Sequence, residues 1–173
     1  MDALAGPYLA SAALLVAAGA AKVRDPLPLM RALVTAGVPS RPALAPLVRT
    51  GAAVEIALGL VAIGTGHAVA AAGVALSYLA FTGFVLLAMT RGGVLASCGC
   101  FGKADTPPTR THVTVTAALA AVAAVVAVRP LGPLPDLLAT APWNGLPLLL
   151  ATAAVAATTY LVLALLPVLR VRA

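Results

Sequence analysis

Charge is what this chain has least of. Only 9% of its 173 residues are Asp, Glu, Lys or Arg, against roughly 25% in an average soluble domain. So few ionic groups cannot cover a water-facing surface, which excludes a soluble enzyme or carrier. Cysteine is scarce too, with two residues. That rules out a fold stapled by disulfides and leaves the redox compartment open. Also missing are a glycine-rich phosphate loop, a hydrolase triad and a metalloprotease motif. The net charge is +6, but the basic residues are dispersed between apolar blocks, as flanks of membrane helices are. Nucleic acid is therefore not the expected partner; the lipid bilayer is.

What the chain has in quantity is apolar sequence, 62% of it, in runs long enough to cross a bilayer. Residues 4–21 form an uncharged run of about 27 Å at 1.5 Å per residue. Asp2 and no base precedes it, the wrong flank for a cleaved signal, so it reads as the first span. Further spans are expected at 50–66, 68–90, 110–128 and 146–169. Between the first two, Leu27, Met30, Leu33, Val34 and Val38 recur at helical spacing after Asp25-Pro26. That pattern predicts an interfacial helix over 26–37, ended by Gly37-Val38-Pro39. Ala53 and Ala57 make a small-residue pair suited to close helix contact. Residues 129–145 read as a Pro- and Gly-rich loop with Trp143 as an interface anchor. The expected architecture is all-α, one polytopic membrane domain over 1–173.

Five spans put the termini on opposite faces. One face then holds Lys22, Arg24, Arg31, Arg41, Arg49, Arg91, Lys103, Arg110, Arg170 and Arg172; the other holds Arg129 alone. The positive-inside rule places the richer face in the cytoplasm and the amino end outside. The predicted location is the plasma or inner membrane.

Both cysteines lie in one polar gap, Ser97-Cys98-Gly99-Cys100-Phe101-Gly102-Lys103. Two extended residues span at most about 7 Å and a disulfide wants Cα atoms about 5.5–6 Å apart. Gly99 permits the bend that closing such a ring requires, and strained, exposed disulfides are the ones that exchange. Lys103 favours thiolate over thiol. Redox exchange, metal ligation and plain packing are three readings of the pair; His112 adds a ligand, yet Cys-x-Cys with one His is an incomplete tetrahedral set, so no metal is expected. Glu55 interrupts an apolar run, where an unpaired acid costs several kcal/mol. Its expected partner is Lys22, as a structural ion pair or as part of a site that span parity puts on the cysteine face. Ser77, Tyr78 and Thr82 suit hydrogen bonds between helices, and His67 suits a solvated turn.

Three segments together resemble a known family. Ala18-Gly19-Ala20-Ala21-Lys22-Val23-Arg24-Asp25-Pro26 is similar to the end of the first helix in DoxX-like and MauE membrane proteins. Val54-Glu55 through Gly59 is similar to their Glu-x-x-x-Gly helix. Cys98-Gly99-Cys100-Phe101-Gly102 resembles the Cys-x-Cys-Phe-Gly signature of the MauE branch. The likeness covers roughly residues 4–128. It implies a four-helix DoxX-like core, here with a fifth carboxy-terminal helix. It also implies an accessory protein of methylamine utilisation type that supports disulfide formation in a client beside a thioredoxin-like partner. If the chain is an enzyme, it is then a thiol-disulfide oxidoreductase component with Cys98 and Cys100 as the redox pair, and Lys103, Glu55 and Lys22 assisting. That client matures outside the cytoplasm, so electrons would cross the membrane through a quinone or a partner. Two alternatives stand beside this: a non-enzymatic assembly scaffold, and quinone-linked oxidation of a small sulfur compound.

Overall fold

A computed structural model describes residues 3–90 and 109–164. Seven α-helices occur among them: α1 (Ala5–Arg24), α2 (Leu27–Thr35), α3 (Leu44–Thr65), α4 (Ala68–Thr90), α5 (Arg110–Val128), α6 (Leu134–Thr140) and α7 (Leu146–Ala164). Five are long and apolar enough to cross a membrane: α1, α3, α4, α5, and α7 with the short turn before it. The protein is an all-helical, multi-pass membrane protein.

Boundaries follow local chemistry. Asp25 Oδ1 accepts from the Leu27 backbone N–H at 3.1 Å, opening α2, and Gly37 closes it at φ 99°, an angle glycine adopts freely. Helix α3 begins at Leu44, earlier than the expected residue 50, and carries Arg49 on an exposed face. A basic residue ends the hydrocarbon-facing stretch without ending the helix. His67 is exposed, and its Nδ1 accepts from the Val69 N–H at 3.3 Å, capping α4. Thr109 Oγ1 caps α5 through the His112 N–H. Within 129–145, expected as loop, α6 forms behind Pro133, and the turn Pro142–Gly145 holds Trp143 and Asn144 at positive φ. Trp143 is exposed, as an interface anchor needs. The fifth expected span runs past Ala164 into residues outside those described.

Helix α1 is the hub. In its spanning window 61% of residues are buried, against 11% in α7, and it packs on α3, α7, α5 and α4. Its small side chains explain this: Ala12, Ala18 and Gly19 let neighbours approach on several sides, the packing mode of membrane helices. A Cβ on Gly19 would stand 2.7 Å from the Ala52 carbonyl oxygen, and one on Gly59 would stand 2.8 Å from that of Ala12. The close α1–α3 contact therefore runs along Gly19, Ala52 and Gly59. Ala53 and Ala57, expected to suit a close helix contact, are exposed; they lie on the other side of α3 from Ala52 and Gly59.

Candidate functional site

Close packing of α1 on α3 brings their ionic residues together. Side chains on a helix point back toward its amino end, so Lys22 reaches down α1 to meet Glu55. Lys22 Nζ donates to Glu55 Oε2 at 2.6 Å. The two differ in exposure: the Lys22 side chain is 2% exposed and that of Glu55 20%. Above the ammonium sits Phe81 of α4, its ring centroid 4.0 Å from Nζ. The face of an aromatic ring is a favourable place for a desolvated cation. The expected Lys22–Glu55 pairing is thus present, and Phe81 is a member that the sequence did not mark.

From this pair a polar seam runs through α4 into α5. Tyr78 Oη donates to the Ser11 carbonyl of α1 at 2.7 Å. Thr82 and Thr116 hydroxyls share a hydrogen bond at 2.8 Å, and Thr116 donates to the His112 carbonyl. His112 is buried, with Nδ1 2.8 Å from Thr109 Oγ1. Tyr78 and Thr82 therefore link helices as expected. Ser77 does not: its hydroxyl donates to Gly73 within α4. Phe81 and Thr82 follow Tyr78 by three and four positions, a spacing that puts 78, 81 and 82 on one face. That spacing was the available signal for Phe81.

Cys98, Gly99, Cys100, Phe101, Gly102 and Lys103 lie outside the described residues. The helix ends that border them, Thr90 of α4 and Thr109 before α5, lie at the same end of the bundle as Lys22 and His112. Among the described residues no three His, Cys, Asp or Glu side chains gather.

Two spaces bear on the quinone expectation. A cavity between Leu14, Ala18, Tyr78, Phe81, His112 and Leu163 has about 20 Å³, whereas organic ligands take roughly 300–1,000 Å³. A groove of about 420 Å³ between α3 and α4, from Val54 to His67, is large enough and apolar. It faces outward, and the Glu55 carboxylate is not part of its lining.

A comparison with family models matches residues 3–129 to methylamine utilisation protein MauE. No curated protein and no solved structure matches the chain.

Proposed function

The chain belongs to the MauE family of methylamine utilisation membrane proteins, and on that premise we propose that it is a thiol-redox accessory protein exchanging disulfides with a thioredoxin-like partner. The observation that carries this is the Lys22–Glu55 pair, its lysine buried under Phe81. Membrane proteins rarely hold ionisable residues at such depth without a function, and this one lies at the end of the bundle that bears the Cys98–Cys100 segment.

In the exchange, the thiolate of one cysteine attacks a disulfide sulfur of the partner. A mixed disulfide forms and the partner's second sulfur leaves as thiolate. The remaining cysteine then attacks the mixed disulfide, closing Cys98–Cys100 and releasing the partner as a dithiol. Two electrons pass from this chain to the partner, and two thiol protons are released and taken up in balance. The same steps run in reverse when the partner arrives reduced. Lys103 favours the attacking thiolate. The Lys22–Glu55 pair holds α1 against α3. The ten-to-one distribution of basic residues supports a cytoplasmic position for the thiols in the plasma or inner membrane.

The test is trapping with an added thioredoxin-like protein, on inverted vesicles and on intact cells. The single variants C98S and C100S separate the attacking from the resolving sulfur. The one lacking the resolving sulfur accumulates mixed disulfide in inverted vesicles only, and the double variant forms none. A scaffold with incidental cysteines gives no trapped species in any variant. Trapping on intact cells instead would reverse the orientation while keeping the chemistry.

A further inference from the structure

The ion pair and the thiols leave one large feature unused, at the start of α3. There the chain from Val38 to Thr50 folds around a groove of about 540 Å³. Its walls are apolar, with Val38, Leu44, Pro46 and Leu47, and its polar groups are Arg41 and Thr50. Arg41 is exposed. Among the described residues no acid lines the groove. Of the two acids that flank this stretch in the chain, Asp25 has Oδ1 accepting the Leu27 N–H and Glu55 has Oε2 accepting from Lys22.

The surroundings are basic. Arg24, Arg31 and Arg49 occupy the end of α1, α2 and the second turn of α3. Arg49 follows Pro46 by three positions, which sets it beside the groove on the helix surface. The opposite pole of the groove is Leu47, 68% exposed on a helix that spans the bilayer. One pocket thus joins a cation at the membrane surface to an apolar wall descending toward the acyl chains.

We infer that this groove is a binding site for an anionic phospholipid, with Arg41 on the phosphate and the upper acyl chain against Leu44 and Leu47. The charge selects an anionic head group over a zwitterionic one, since juxtamembrane bases are attracted to anionic lipid. The apolar wall selects a lipid over free phosphate, which has no use for it. A volume of this size suits a head group and the first carbons of its chains.

The experiment is a native mass-spectrometric titration of the full chain in neutral detergent, with phosphatidylglycerol as the probe. Phosphatidylcholine and inorganic phosphate serve as comparisons. Wild type should retain one phosphatidylglycerol in preference to phosphatidylcholine, and millimolar phosphate should not displace it. R41Q should weaken retention about five-fold. R129Q, at the other end of the bundle, should leave it unchanged. L47N should weaken it while leaving the R41Q effect in place. Retention unaffected by R41Q, equal retention of phosphatidylcholine, displacement by phosphate, or a dimer that excludes lipid would each overturn the assignment. Arg41 is exposed and outside any helix, so R41Q does not put folding in question.

Discussion

Removing Glu55 should cost more than removing Lys22, although the two form one bond. Breaking a buried pair by deleting one partner costs roughly 3–5 kcal/mol, because the survivor stays charged and uncompensated. In E55L the survivor is Lys22, sealed at 2% exposure. Phe81 lies 4.0 Å above it and returns about 0.5–2 kcal/mol through the ring face. The net loss should be about 1–4.5 kcal/mol, or roughly 5- to 2,000-fold in the unfolding equilibrium. In K22L the survivor is Glu55, one-fifth exposed and able to recruit water, so about half that loss is expected. The double variant K22L/E55L replaces a pair by two apolar side chains and should return to within about 1 kcal/mol of wild type. The assay is reversible unfolding of all four full-length chains in mixed micelles, titrated with a denaturing detergent and followed by helical circular dichroism. Additive losses in the double variant would refute the coupling. A larger loss in K22L than in E55L would refute the account of burial. If the restored double variant also lost thiol exchange, the pair would have a role beyond holding helices together.

The same unfolding assay reads two further expectations. G19A and G59A each place a Cβ within 3 Å of a carbonyl on the facing helix, and should cost about 1–3 kcal/mol by overpacking. G51A meets nothing within 4 Å and should be neutral or slightly stabilising; a loss at Gly51 equal to that at Gly19 would remove the packing explanation. Y78F should cost about 1 kcal/mol through its bond to Ser11. Tyr8 is fully buried, yet its hydroxyl has no partner among the described residues, so Y8F should cost nothing or stabilise. The reverse order would mean that the Tyr8 hydroxyl is bonded and the Tyr78 hydroxyl dispensable.

The spans were legible because lipid enforces a simple rule: about 20 apolar residues make a helix. The pairing of Lys22 with Glu55 was legible for a related reason, since a lone charge in that setting needs its opposite. Details set by water were harder to read. Arg49 marks where the chain meets the head groups, but a helix continues through that boundary as long as its backbone bonds hold, so α3 starts at Leu44. Helix α6 was hidden because Pro135 and Gly132 are common to loops and to helix starts alike. The choice between Ala53 and Ala52 as the contact residue was invisible to a spacing rule. Any two small residues four apart satisfy it, and only the partner's glycine decides which side is used.

That last point bears on how such a chain selects one bundle. Between helices in lipid no hydrophobic drive favours one neighbour over another, so a sequence with 62% apolar residues cannot fix helix order by apolarity. The polar links can. Lys22–Glu55 ties α1 to α3, Tyr78–Ser11 ties α4 to α1, and Thr82–Thr116 ties α4 to α5. His112 of α5 and Leu163 of α7 line one small cavity with Tyr78 and Phe81. Each bond is modest, about 0.6–2 kcal/mol in membranes, but each exists in one helix arrangement and is lost in the others. All except the Tyr78 link to Ser11 lie in the half of the bundle that ends at Thr90 and Thr109. The residues that specify the fold therefore gather toward one end of the bundle, and a substitution there will disturb the architecture unless, as in K22L/E55L, both partners are replaced at once.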